Sequence, residues 1–362
     1  MKYLNWGFVF LIIGSVVGAG LASGQEIAVF FSSAGKFSYV LIFLVAIFLY
    51  LVLKNLMILS KRAKTNNIKE INRILFKKSY KFFDLFLLIG LFIFITANIA
   101  GINEIGTIIF KNINFPILSI LSIFFSLFIV LLGISAIKKV NLILMPIVII
   151  FIFYVSIKSL FLKDFICSEL PSDFCSFKLV FKYICLGLFY VSYNMVFSSS
   201  LIFEKSKEFS KKQIKINSFV ISISLISLIF IVNLVMLKVS PSTNLPLLYN
   251  AFLIDKSLGL IFGFVLWFSI LTSLISSLYV LINAFKFNKF VFSCVILTVG
   301  FIFSFFGFSK IVSIVYPLQG LIGFIFIIKV FIYNRKNFSD EKCFEKKKRH
   351  FSKICGFYIN NK

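Results

Sequence analysis

One histidine occurs in 362 residues, and acidic residues number only 13. A single histidine, His350, rules out a His-Glu-x-x-His pair and with it a zinc protease of that type. No Walker-type phosphate loop and no nucleophile elbow is present, so ATP-driven transport and intramembrane hydrolysis lack their motifs, and no enzymatic activity is expected. The six cysteines are poorly placed for metal. Cys185, Cys294, Cys343 and Cys355 have no metal-ligand spacing, while Cys167 and Cys175 share one connector and could pair in an oxidising compartment. Charge is scarce at 14%, against 60% hydrophobic residues, well above the roughly 45–50% of soluble domains. No water-soluble fold can bury that much apolar surface.

What the sequence has is long apolar runs. Stretches such as Pro116–Ile137 and Asn217–Leu237 are long enough to cross a bilayer. Ten spans are expected, at 7–31, 37–59, 82–110, 115–136, 140–162, 179–203, 215–237, 257–285, 290–307 and 310–333. The start of the chain also has features of a signal peptide, with Lys2, an apolar stretch and small residues at 19–23. The apolar run continues through Ile27–Phe31, which favours a retained first span.

Lys and Arg outnumber Asp and Glu by 38 to 13, a formal net charge of +25. In a soluble chain this excess would point to nucleic acid. Here the basic residues sit in short connectors and the tail, without an aromatic-interleaved basic face, so the expected partners are a lipid bilayer and a small solute, with no nucleic acid. With the N-terminus inside, 27 basic residues fall on the cytoplasmic side and 9 outside, leaving Lys54 and Lys329 near helix ends. That asymmetry predicts a plasma-membrane protein with both termini cytoplasmic.

The two halves follow the same order. The long connector 61–81 after the second span is matched by 238–256 after the seventh, and five spans per half put the two on opposite faces. This predicts an inverted repeat, with a first five-helix unit at 1–162, a second at 163–333 and a basic tail at 334–362.

Four glycines interrupt the first span: Gly14, Gly18, Gly20 and Gly24, followed by Gln25 and Glu26. Glycine weakens helical hydrogen bonding, and a break inside a membrane is tolerated only where it lines a cavity or packs against protein. The same spacing would also serve close helix packing. Amides near Ala19, Gly20 and Leu21 would face an anionic group such as a carboxylate. Gly18, Ala19, Gly20, Leu21, Ser23, Gln25 and Glu26 are the candidate solute-binding residues here. The sixth span adds Tyr190, Ser192, Tyr193 and Asn194, and the third adds Asn98, with Glu104 also a candidate for facing the cavity.

Gly14-Ser15-Val16-Val17-Gly18-Ala19-Gly20 resembles the opening-helix motif of the amino acid–polyamine–organocation superfamily. Its extension, Ala22-Ser23-Gly24-Gln25-Glu26, is similar to that of YkvI-type membrane proteins. The resemblance implies an all-α LeuT-type fold of two inverted five-helix repeats, with an amino acid or similar small zwitterion bound near mid-membrane between broken first and sixth helices. It also implies secondary transport by alternating access, or a non-transporting receptor that kept the site. In LeuT-type sodium symporters, hydroxyls of the eighth helix meet carbonyls of the first. Of Ser269, Thr272, Ser273, Ser276 and Ser277, the last four are the candidate sodium ligands. Sodium is the favoured coupling ion, with a proton carried by Glu26 as the alternative; no other cofactor is expected.

Overall fold

A computed structural model of the chain describes residues 3–63, 65, 67–110, 116–162, 177–238, 243–285 and 287–336. Cys167, Cys175, His350 and most of the basic tail lie outside these. Among the described residues regular structure is entirely helical. The first expected span is three short helices, α1 (Trp6–Val16), α2 (Ala19–Ser23) and α3 (Gln25–Phe30). Then come α4 (Ser38–Ala63), α5 (Ile68–Phe76), α6 (Tyr80–Ile109), α7 (Ile117–Leu131), α8 (Ile134–Ser159), α9 (Phe177–Ser206), α10 (Lys211–Met236), α11 (Pro246–Ile254), α12 (Lys256–Ala284) and α13 (Lys289–Ser304). The last, α14 (Phe308–Lys336), has a π turn at Ile311–Val315.

Seven long helical segments are apolar enough to cross a membrane, and three shorter apolar helices, α1, α7 and α13, stand at the places of the first, fourth and ninth expected spans. Each long connector carries a nine-residue helix, α5 in one and α11 in the other. The solvation pattern is inverted relative to a soluble protein. Phe43, Phe124, Ile143, Ile150 and Phe306 are exposed on the outer surface, whereas Asn98, Asn141, Asn194, Asn233 and the α12 hydroxyls are buried. Lipid tails solvate the former; the latter must find partners within the bundle.

The core lies along α12, where every residue from Ser269 to Ile282 is buried. This helix packs against α1, α2, α6, α7, α8 and α9. Around it, α4 packs on both α9 and α10.

Three expectations need correction. The fourth and fifth spans meet earlier than expected: Gly133, at φ +84°, makes the turn, and Lys138 and Lys139 belong to α8. The last helix continues to Lys336. The third concerns the sixth span, which is not broken. α9 is one helix of 30 residues. No proline or glycine interrupts its polar stretch, and the side chains that would supply a break bond back to their own helix: Ser192 Oγ donates to Leu188 O at 2.7 Å, Asn194 Nδ2 to Tyr190 O at 3.0 Å.

Close backbone approach occurs where α14 meets α9. A Cβ on Gly320 would stand 2.7 Å from the carbonyl oxygen of Phe189. Gly320→Leu is therefore expected to lower the thermal midpoint by an overpacking cost of about 1–3 kcal/mol. Gly106→Ala, whose Cβ would meet nothing nearer than 4.0 Å, serves as the control and should leave the midpoint unchanged.

Candidate functional site

The first span unwinds at two points, and each frees backbone groups. α1 ends at Val16, and Val17 and Gly18 form the crossing before α2. The Val17 amide donates to Ile13 O at 2.8 Å and Gly18 to Val16 O at 2.9 Å, after which the ladder restarts with Ala22 donating to Gly18 O. The second break is Gly24, at φ +90°, a left-handed conformation that residues with a Cβ rarely adopt. α3 then runs on to Phe30 with Glu26 in its first turn.

α12 meets the first break. Ser269 Oγ donates to Val17 O at 2.8 Å, and Thr272 Oγ1 approaches Gly14 O at 3.5 Å while donating to Ser269 O at 2.8 Å. Ser273 Oγ is buried with no partner in the structure, and a Cβ on Gly18 would stand 2.7 Å from it. Two main-chain carbonyls and three hydroxyls thus converge between α1 and α12, in a region where all five residues are buried. Oxygen donors of this kind suit a hard monovalent or divalent cation.

On the other side of α2, the Glu26 side chain folds back against Gly20, so closely that a Cβ there would have to displace it. Glu26 is 2% exposed and its Oε2 has no hydrogen-bond partner. Its carboxyl group neighbours Tyr190, Tyr193 and Tyr316. These rings form one shell: Tyr193 lies 5.8 Å from Tyr190, perpendicular to it, and 5.0 Å from Tyr316, with Phe30 at 5.5 Å from Tyr190 and 5.8 Å from Tyr193.

No family model matches the chain. Aligned over 330 residues, it is 25% identical to the uncharacterized membrane protein YkvI of Bacillus subtilis (strain 168), covering 88% of this chain and 92% of YkvI. The chain resembles YkvI along nearly its whole length. A crystal structure of MhsT in complex with L-phenylalanine superimposes with a TM-score of 0.66 at 16% identity, covering 88% of each chain. The fold is therefore LeuT-type, in a multi-pass membrane protein.

Within this LeuT-type frame the residues singled out by sequence fall into separate groups. Gly18, Ala19, Gly20 and Leu21 lie at the first break, where Asn98 Oδ1 accepts from the Ala19 amide at 3.4 Å. Ser23 Oγ donates to Gly20 O at 3.3 Å. Gln25 points elsewhere, donating through Nε2 to Ser309 Oγ at 3.0 Å and so tying α3 to the start of α14. Tyr190 and Tyr193 join Glu26, but Ser192 and Asn194 bond within α9. Of the α12 hydroxyls, Thr272 and Ser273 face the break. Ser277 donates to Ser273 O and Leu274 O on its own helix, and Ser276 is buried without a partner. Glu104 accepts from Asn244 Nδ2 at 3.0 Å and lines a separate cavity of about 380 Å³ with Asn103, Ser119 and Ser304.

Ser269 and Tyr316 complete the geometry and were not among the sequence candidates. Ser269 carries a signal, since it lies three and four residues before Thr272 and Ser273 on one helical face. Tyr316 carries none, being a lone tyrosine in an apolar stretch.

Proposed function

We propose that the chain is a secondary active transporter of a small organic solute of amino-acid size, coupled to sodium and working by alternating access across the plasma membrane. The observation that carries this reading is the convergence of Gly14 O and Val17 O with the hydroxyls of Ser269, Thr272 and Ser273 at an interrupted helix. A helix break is costly in lipid unless its freed groups are used. Two units, 1–162 and 163–333, supply the moving parts: α1–α3, α4, α9 and α10 rock against the rest, with the C-terminal end of the last helix on the cytoplasmic side.

Binding of sodium to the folded state raises its stability by mass action. Purified protein should melt higher in sodium chloride than in choline chloride of equal ionic strength, and proteoliposomes with an inward sodium gradient should accumulate solute. Melting that ignores sodium, with uptake driven by a pH gradient, would transfer coupling to Glu26. Binding without uptake would make the chain a receptor.

The charge asymmetry supports cytoplasmic termini. In a background without native cysteines, Lys78→Cys in the 61–81 connector should resist an impermeant thiol reagent on intact cells, while Lys256→Cys should react. The reverse pattern would invert the topology.

A further inference from the structure

We propose that an anionic phospholipid binds at the cytoplasmic end of the bundle, with its phosphate held between Arg62 on α4 and Arg335 on α14. The site needs only the proposed membrane orientation and is independent of the solute and of the coupling ion.

A cavity of about 460 Å³ opens where the last turns of α4 and α14 meet. Arg62 and Arg335 line it together with Asn55, Asn334 and the apolar side chains of Ile58 and Phe331. Bonds within the protein set its walls. Asn334 Nδ2 donates to Asn55 O at 2.8 Å and to Asn55 Oδ1 at 3.2 Å, and Arg62 Nη1 donates to Asn334 O at 2.6 Å. Asn55 Nδ2 in turn donates to Leu51 O at 2.8 Å. Both amide nitrogens are thus engaged, and the charge presented to the cavity is that of two guanidinium groups. No acidic side chain among the described residues lines it. A guanidinium fork matches the oxygens of a phosphate, and two forks at one cavity suit an anion that accepts from both.

The surface leading to the cavity selects a lipid over a free anion. Along α14, Ile325, Ile328 and Ile332 are exposed at spacings of three and four, and the next residue in that row is Arg335. Along α4, Leu44, Ile47 and Leu51 are exposed in the same way, and the row continues through Asn55 and Ile58 to Arg62. Phe48 packs on Phe324 with ring centroids 6.1 Å apart, which keeps the two helices side by side. Each apolar row therefore ends in a cation, the order in which an acyl chain leads to its phosphate.

The test uses the full-length purified protein in neutral detergent, with dioleoylphosphatidylglycerol, dioleoylphosphatidylcholine and inorganic phosphate as separate probes. Phosphatidylglycerol should raise the melting midpoint saturably. Phosphatidylcholine with the same chains, and inorganic phosphate at equal concentration, should not. Arg335→Gln should weaken the response to phosphatidylglycerol about fivefold, and the double change Arg62→Gln, Arg335→Gln about thirtyfold, from about 1 kcal/mol for each basic residue facing anionic lipid. Arg335→Lys keeps the charge and loses the fork, so it should weaken the response as well. The pair Lys78→Gln, Lys81→Gln removes as much charge from the same membrane face and should change nothing. The midpoint without lipid shows that each variant is folded; if Arg62→Gln does not fold, Arg335→Gln decides alone, because its side chain is exposed. An equal response to phosphatidylcholine, an equal response to inorganic phosphate, or no response to phosphatidylglycerol would overturn the proposal. So would an undiminished response in Arg335→Gln, or an equal loss in the lysine pair, which would make the attraction a general one.

Discussion

The double variant Thr272→Ala, Ser273→Ala is expected to lose its response to sodium while folding normally. With sodium at a hundred times its Kd, a single site stabilises the folded state by about 2.7 kcal/mol. That increment should vanish, and uptake should become independent of the sodium gradient. The argument is one of ligand count. Gly14 O and Val17 O are fixed by the break, but carbonyls alone leave a hard cation under-coordinated. In the proposed site Thr272, which approaches Gly14 O, and Ser273, whose hydroxyl has no partner, would bring the hydroxyls that close the shell from α12. Their loss should cost little stability in the absence of ion, because Ser273 Oγ makes no bond in the structure and Thr272 bonds chiefly to its own helix at Ser269 O. Ser277→Ala is the internal control. Its hydroxyl is committed to Ser273 O and Leu274 O, so the sodium response should survive. Loss of the sodium shift in Ser277→Ala, or its retention in the double variant, would remove the ion from this place.

Gly18→Leu should abolish both sodium and solute binding. Even the first added carbon would stand 2.7 Å from Ser273 Oγ and 3.0 Å from Asn98 Oδ1, and a leucine needs far more room. The side chain would push α12 and α6 away from the crossing and fill the space between carbonyls and hydroxyls. Overpacking costs about 1–3 kcal/mol, so some loss of stability is expected, with insertion retained. Gly18→Ala grades the effect: Ser273 is a small rotor and can turn aside, so binding should weaken without vanishing. Failure of Gly18→Leu to insert at all would mean that this glycine serves helix packing first. Unchanged binding would move the site out of the first span.

The sequence shows plainly what is local. Apolar length reveals the membrane class, and four glycines in eleven positions mark where α1 gives way to α2 and α3. The hydroxyl row of α12 is visible because its spacing of three and four is a property of a single helix. What is not legible depends on register between distant segments. Ser269 stands beside Thr272 in the sequence, but only the packing of α12 on α1 turns it toward Val17 O, 252 residues away. Tyr316 joins Glu26 because α14 begins with a π turn and lies against α3, and nothing in its neighbours announces that. The unbroken α9 was hidden for the opposite reason. Serine and asparagine suggest an interruption, yet each can also return its donor to the preceding turn, and sequence does not distinguish the two.

The continuity of α9 also bears on how movement is shared between the halves. At about 1.5 Å of rise per residue, a helix of 30 residues is a rod of about 45 Å. Such a rod cannot flex locally around a solute; tilting one end displaces the other. The first span has joints at Gly18 and Gly24 and can bend piecewise. The span that carries Glu26 and the helix that faces it therefore differ mechanically, one an articulated arm and the other a lever, and α9 is suited to carry a change near Tyr193 along its length to Ser206.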